Sequence, residues 1–295
     1  MNYRLKKILI IKHGSLGDII SATSPINDIK NHYKESQIFV LTSQKYKFFF
    51  SEFINITQII IDNRSGFLSI ILILKKILNY KFDLIIDLQN SQRTNFYAFI
   101  LRIFSKIKIN GTGFFSTHRY KCSLKNLPSV IDGLSNQLEI LDIKTMRKPH
   151  IDWLNKNQFD FETLQNKNYF IVNPGCSKKN FQKKWSSDNY AKICTFLISK
   201  NILPILIGSK DDRDHINNIV SKEARVLNLL DKSPLSLIYE LSLKAVGAIS
   251  NDTGPAHLIA ASGCKIHLVL SSFSNIKTVI PQGKNVSFTQ KNNIK

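Results

Sequence analysis

The sequence predicts an α/β protein built from two Rossmann-like parallel-sheet domains, each with helices on both faces of its sheet. Three observations carry this. Short apolar runs recur between longer segments of helical spacing, and the alternation lapses once near the middle before resuming. At 295 residues the chain is also long for one core, since single cores stop growing at about 250–300 residues. A run that stays apolar without alternation reads as a strand covered on both faces, which is the condition of a parallel sheet between helical layers.

In the first half, "KILIIK" (7–12), "QIFVLT" (37–42), "QIIID" (58–62) and "DLIIDLQ" (83–89) read as such strands, with helical spacing over 18–33 and 67–79. Between about Gly111 and Asn168 the rhythm gives way to polar, loop-like sequence, which puts the junction there: one domain over 1–155, a second over 156–295. The second half resumes with "YFIVN" (169–173), a helix over 187–200, "LPILIGS" (203–209), a helix near 211–222 and "RVLNLL" (225–230). A helix near 234–244, "AVGAIS" (245–250), "SNDTGPAHLIAAS" (250–262) and "KIHLVL" (265–270) follow. There is no internal repeat and no low-complexity block.

Composition narrows the partners. With 41 Lys and Arg against 21 Asp and Glu the formal charge is +20, which predicts attraction to anions. Nucleic acid, an anionic membrane and a phosphorylated substrate all satisfy that charge, and so does a biased genome rich in Lys, Asn and Ile. The basic residues form no dense tract and no zinc-finger, RRM or KH pattern accompanies them, so nucleic acid is not the expected partner. Cys122, Cys176, Cys194 and Cys264 are far apart without a C-x-x-C pair, which points to free thiols in a reducing compartment. The opening "MNYRLKKILIIKHGS" has a basic head, but its apolar run is only Ile8 to Ile11 and no small-residue cleavage site follows. The longest apolar stretch, "FLSIILIL" (67–74), falls far short of the roughly 20 residues of a spanning helix. The expected location is the cytoplasm, with the inner face of the cytoplasmic membrane as a surface the protein touches.

Ligands of open α/β sheets gather where strands end and loops enter helices. Three loops of that kind carry unusual residues. "KHGSLGD" (12–18) contains neither a dinucleotide G-x-G-x-x-G nor a P-loop, but Gly14 and Gly17 permit close approach to its backbone between Lys12, Ser15 and Asp18. Asp18 has two readings: an N-cap, or a general base for a bound hydroxyl. "NPGCSKKNFQKKW" (173–185) crowds Lys178, Lys179, Lys183 and Lys184 beside Ser177 and Trp185; it is either a solvated basic loop or a phosphate clamp. "NDTGPAH" (251–257) sets Asp252, Thr253 and Gly254 at a helix start with His257 one turn in; it is either a plain cap with Pro255 in the first turn, or an anion site on exposed N–H groups. Alone, each loop favours its ordinary reading or draws; three at equivalent places favour a site.

Taken in order, these segments resemble the ADP-heptose:lipopolysaccharide heptosyltransferases, glycosyltransferase family 9, over nearly the whole chain. "ILIIKHGSLGDIISATSPINDIK", "FDLIIDLQ", "NPGCSKKNFQKKWSSDNYAKI" and "SNDTGPAHLIAASG" carry the resemblance, the last most specifically. Ser186 stands where that family usually has Pro, and "LSSFSN" replaces its usual F-G-P-T. The resemblance implies a GT-B fold and an inverting, metal-independent transferase using no cofactor. It implies that Asp18 is the catalytic base and that Lys183 contacts the donor diphosphate. Thr253 and Gly254 would bind the same phosphates, with Asp252, His257 and Ser177 completing the donor side and Lys12, Gly14, Ser15 and Gly17 the acceptor side. The implied partners are a nucleotide-sugar donor, ADP-heptose first, and a lipid-linked or core-oligosaccharide acceptor. The alternative is a GT-B shell that binds a nucleotide or glycan without turnover. A metal-dependent transferase is disfavoured, because the Asp-x-Asp spacing of "DDRD" (211–214) falls at a helix start where acidic residues are ordinary.

Overall fold

The computed structural model describes residues 5–53, 56–122, 128–155, 164, 166–176, 184–272 and 274–291. The chain divides into two compact units, Met1–His150 and Ile151–Lys295.

The N-terminal unit is a six-stranded sheet in the order β3-β2-β1-β4-β5-β6, parallel throughout. Its strands are β1 (Lys7–Ile11), β2 (Gln37–Thr42), β3 (Gln58–Ile61), β4 (Leu84–Asp87), β5 (Lys108–Gly111) and β6 (His118–Arg119). Helices α1 (Leu16–His32) and α5 (Val130–Glu139) pack against each other. α3 (Gly66–Tyr80) and α4 (Gln92–Phe104) share a core with the sheet: Leu9, Ile11, Phe39, Leu41 and Ile85 meet Ile73, Ile77, Tyr97 and Leu101. Short α2 (Lys47–Ser51) links β2 to β3. Ile8 to Ile11 are at most 2% exposed, so β1 is covered on both faces, as its unbroken apolar run requires.

The C-terminal unit repeats the plan. Its sheet runs β12-β11-β10-β7-β8-β9, again all parallel. The strands are β7 (Tyr169–Asn173), β8 (Leu203–Gly208), β9 (Leu227–Leu230), β10 (Gly247–Asn251), β11 (Ile266–Ser271) and β12 (Val286–Lys291). The helices are α6 (Ser187–Ser199), α7 (Arg213–Lys222), α8 (Leu235–Lys244), α9 (Gly254–Ala261) and α10 (Ile276–Val279). Val172, Leu206 and Ile249 of the sheet form one core with Tyr190, Cys194, Ile216 and Ile219 of α6 and α7.

Counted from its own first strand, each sheet has the order 3-2-1-4-5-6. The order reverses between β1 and β4 in one unit and between β7 and β10 in the other. Such a switch point opens a crevice at the carboxyl ends of the strands. The three loops singled out in the sequence leave β1, β7 and β10, so all three sit at a switch point.

The stretch expected to be irregular, 111–168, contains β6 and α5. "VIDGLSNQLE" carries the helical spacing of Ile131, Leu134 and Leu138 behind the Ser129 cap, and Gly133 and Asn136 interrupt that signal without breaking the helix. All four cysteines are free. Among the described residues no helix is long and apolar enough to cross a membrane.

Candidate active site

The N-terminal site is built on the loop from β1 to α1. Gly14 has φ +129°, a conformation that suits glycine, and a Cβ there would run into the Tyr46 ring. Ser15 is the N-cap of α1 and Asp18 stands at its third position. Asp18 Oδ2 accepts from Ser15 N–H at 2.9 Å and from Ser15 Oγ–H at 3.1 Å, one half of a capping box. The cap role therefore belongs to Ser15 and not to Asp18, because the helix starts at Leu16, two residues before the expected start. Gly17 is buried in the first turn.

Asp18 keeps a free side. It lines a cavity of about 260 Å³ together with Lys12, Asn90, Thr112, Tyr120 and Ser129. Lys12 is buried and its Nζ donates to Leu88 O at 2.9 Å. Burial lowers its pKa from the ordinary lysine value, while the Asp18 and Asp87 carboxylates favour its charged form. Asp87 is pushed up by burial, with hydrogen bonds from Thr94 and from Asn90 and Gln89 N–H opposing that.

The opposite wall rests on a buried amide relay. Asn90 adopts φ +50°, which Asn tolerates better than most residues. Its Oδ1 accepts from Thr112 N–H at 2.9 Å and its Nδ2 donates to Gln137 Oε1 at 2.7 Å. Gln137 Nε2 in turn donates to Asn110 Oδ1 at 2.9 Å and to Asp87 O at 3.0 Å.

A second buried cluster fixes the start of the loop. His13 N–H donates to Gln89 Oε1 at 2.8 Å, and Ser43 Oγ–H donates to His13 O at 3.0 Å. The His13 ring lies 3.1 Å from Asp62 Oδ2, an ion-pair distance that does not meet hydrogen-bond alignment. Asp62, 1% exposed, also receives Arg93 at 2.9 and 3.2 Å, Tyr97 Oη–H at 2.7 Å and Arg64 N–H at 2.9 Å. Burial alone would raise the Asp62 pKa; His13, Arg93, Tyr97 and the Arg64 amide together hold it well below the usual carboxylate range.

In the C-terminal unit, α9 begins at Gly254 with Thr253 as N-cap and Pro255 in the first turn. The Thr253 hydroxyl makes no bond to the helix it heads. It accepts instead from Asn173 Nδ2 at 2.8 Å, and the same Nδ2 lies 2.8 Å from Ser250 Oγ. The start of α9 thus has no side-chain cap, although Ala256 N–H donates to Thr253 O at 3.2 Å and Pro255 has no N–H; a helix start without a side-chain cap suits an anion. Asn251 joins the two loops of this unit: its Nδ2 donates to Pro174 O at 2.9 Å and its Oδ1 accepts from Trp185 N–H at 3.2 Å. Asp252 and His257 are half-buried at the same place, and Ser274 Oγ–H donates to Asp252 Oδ2 at 3.5 Å.

Lys184 is not a freely solvated lysine. Its Nζ lies 3.3 Å from Asp212 Oδ1, which also accepts from Cys176 N–H at 3.1 Å. A Cβ on Gly175 would strike the same carboxylate, so glycine lets Asp212 close under the loop. Ser177, Lys178, Lys179 and Lys183 lie outside the described residues.

The structure thus gathers Lys12, Gly14, Ser15, Gly17 and Asp18 at one switch point and Asp252, Thr253, Gly254 and His257 at the other. The sequence reading assigned no role to Asp62, Arg93, Asn90, Gln137, Asn173 or Asp212. One pattern could have found two of them, Asp62 and Asn173. β3 runs into Asp62, and β4, β7 and β10 end in Asp87, Asn173 and Asn251, so four apolar strands each stop at a short polar side chain.

Two Rossmann-like units of this strand order in one chain, with polar groups collected at both switch points, define the GT-B fold. Solved structures agree in fold: a glycosyl transferase family 9 protein from Veillonella parvula has a TM-score of 0.80 at 20% identity, over 99% of this chain and 87% of that one. E. coli heptosyltransferase WaaC with ADP-2-deoxy-2-fluoro heptose gives 0.75 at 14% identity, over 98% and 94%. The lipopolysaccharide core heptosyltransferase OpsX of Haemophilus influenzae is 23% identical over 278 residues, 88% of this chain and 78% of that protein. The chain belongs to glycosyltransferase family 9 (heptosyltransferase), whose model matches residues 70–267. It is therefore an enzyme of the glycosyltransferase class, which displaces the non-catalytic shell as a reading.

Proposed function

We propose that the protein moves a heptose from ADP-heptose to a lipopolysaccharide-core acceptor, with inversion at the anomeric carbon and without a metal ion, at the inner face of the cytoplasmic membrane. The N-terminal unit takes the acceptor and the C-terminal unit the donor. One observation carries the reading: Asp18 is a half-buried carboxylate on the wall of a cavity at the carboxyl end of β1, beside the Lys12 ammonium.

The chemistry follows from that carboxylate. An acceptor hydroxyl gives its proton to Asp18 as its oxygen attacks the anomeric carbon. The bond from that carbon to the diphosphate oxygen breaks on the opposite face, so the configuration inverts and the electron pair leaves with ADP. Charge grows on the departing phosphate in the transition state, which is where stabilisation accelerates the step. Thr253, tethered by Asn173, and the positive end of α9, which has no side-chain cap, suit that charge, and the sequence pattern adds the Lys183 ammonium. Lysine and oriented amides perform the neutralisation that a divalent cation supplies elsewhere. Lys12 gives the acceptor cavity a positive wall, which suits an acidic core sugar or its phosphate. Support for the donor comes from the bound analogue of the similar WaaC, and for the acceptor from the activity named for OpsX.

The test is transfer from ADP-heptose to a truncated core lipid, read as a mass gain on the acceptor. Asp18→Asn keeps an oxygen for Ser15 and so spares the helix start, while a base is lost; its kcat should fall by about 10²-fold or more with unchanged urea unfolding. EDTA should leave the wild-type rate unchanged, and the product anomer should be inverted by NMR. Full transfer by Asp18→Asn overturns the mechanism.

A further inference from the structure

Helix α3 buries one face and leaves the other without a partner. Ile73, Leu74 and Ile77 enter the core of the sheet, but Phe67 is 66%, Leu68 74% and Leu72 69% exposed, with Ile71 beside them. Residues at spacings of three and four share a helix face, so Leu68, Leu72, Lys75, Lys76 and Asn79 form one outward stripe with Phe67 and Ile71 along its edge. That stripe is apolar over its first two turns and basic over the third.

Its position is specific. α3 begins at the carboxyl end of β3, the end of the sheet at which Asp18 stands. At that same end Phe48 of α2 is 71% exposed, and Phe114, past β5, is 72% exposed with the Arg119 guanidinium 5.6 Å from its ring. The C-terminal unit shows no counterpart among the described residues: its exposed large apolar side chains, Phe196, Leu243, Val246 and Phe288, are scattered. Clustered apolar exposure marks an interaction surface, whereas isolated cases are ordinary.

Charge decides the occupant. From Asn63 to Phe82 there is no acidic residue, while Arg64, Lys75, Lys76 and Lys81 are basic. A helix with Phe and Leu on one side and lysines at the border lies in the plane of a membrane, its apolar residues at the headgroup and acyl boundary and its ammonium groups among lipid phosphates. We infer that the Phe67–Lys76 face of α3 seats the N-terminal unit on an anionic lipid bilayer. This deepens the proposed function, because a lipid-linked acceptor would then be presented at the end of the sheet that carries Asp18. Lipid binding is read without donor or acceptor, so it stands or falls separately from transfer activity.

The experiment is flotation of the full chain with vesicles of phosphatidylcholine alone or mixed equally with phosphatidylglycerol, at about 0.1 M salt. Wild type should bind the mixed vesicles about tenfold or more tightly than the neutral ones. Leu68→Glu with Leu72→Glu should reduce that binding about tenfold or more, with unchanged urea unfolding and unchanged transfer to a water-soluble acceptor. Lys75→Gln with Lys76→Gln should weaken it about fivefold or more and flatten its salt dependence. Phe196→Glu, in the other unit, should change nothing. Wild-type binding by the Leu68/Leu72 variant overturns the inference. So does a lipid-free dimer that the same substitutions dissociate, which would make the face an interface between copies.

Discussion

The two units share one strand order but carry different polar side chains at strand ends beside their candidate sites. In the N-terminal unit, β3 and β4 run into carboxylates, Asp62 and Asp87; in the C-terminal unit, β7 and β10 end in carboxamides, Asn173 and Asn251. A carboxylate only accepts, so each must be surrounded by donors: Asp62 by Arg93, Tyr97, the Arg64 amide and His13, Asp87 by backbone N–H groups and Thr94. A carboxamide donates as well as accepts, so Asn173 and Asn251 tie the loops together without adding charge. Under the proposed reading this division has a reason. The unit that takes a proton from an incoming hydroxyl can hold buried negative charge, whereas the unit that releases a diphosphate ends both switch-point strands in neutral carboxamides and pairs its buried Asp212 with Lys184.

The largest break in that comparison is Asp62→Asn. Arg93 and His13 would face a neutral amide in a site only 1% exposed, and removing one partner of a buried ionic cluster costs about 3–5 kcal/mol. The variant should unfold at markedly lower urea. The pH dependence gives a second reading. Because the folded-state pKa of Asp62 is depressed, its stabilisation is fully present above the unfolded carboxylate value of about 3.9 and is lost as pH falls below that toward the folded value. Wild type should therefore lose more stability than Asp62→Asn between pH 5 and the most acid pH at which both remain folded, measured by urea titration.

Asn173→Asp sharpens the comparison by giving the C-terminal unit the other unit's chemistry. The side chain keeps its shape but loses the donor shared by Ser250 and Thr253, and a buried carboxylate appears beside the start of α9. Calorimetry should show ADP affinity falling about tenfold or more, a loss of at least ~1.4 kcal/mol. Equal affinity for ADP would remove the electrostatic reason for the asparagine.

How far these features were legible follows from what each depends on. β1, β2, β4, β7, β8, β10 and β11 were readable because two-sided burial forces unbroken apolar runs. β5, "KING", was not, since four residues with one apolar side chain take their order from β4, whereas α5, "VIDGLSNQLE", carries apolar helical spacing that its polar surroundings masked. The same holds inside the site. Asp18 and the helix start at Gly254 are announced by local glycine, proline and capping residues, whereas the Asn90–Gln137–Asn110 relay joins amides 47 and 27 positions apart. The exposed face of α3 was legible only as an apolar segment. Its seven-residue core of Phe, Leu and Ile looks buried throughout, and the structure alone separates the inward Ile73 and Leu74 from the outward Leu68 and Leu72.

The smallest expected effect concerns the two helix starts. α1 is closed by its own residues, since Asp18 takes both the N–H and the hydroxyl of Ser15, whereas Thr253 is turned from α9 toward Asn173. Ser15→Ala removes a hydroxyl from a cap and should lower stability by about 1 kcal/mol, as cap losses typically do, without altering ADP affinity. Its kcat should fall only a few-fold, because Ser15 N–H continues to hold Asp18 on the cavity wall. Thr253→Ala should do the reverse: α9 loses no cap bond, while the Asn173 amide loses one of its two side-chain partners and ADP binding weakens. Urea unfolding and ADP calorimetry on the same pair of variants separate the two outcomes. A stability loss confined to Thr253→Ala, or an affinity loss shared equally by both variants, would mean that the two helix starts play the same part.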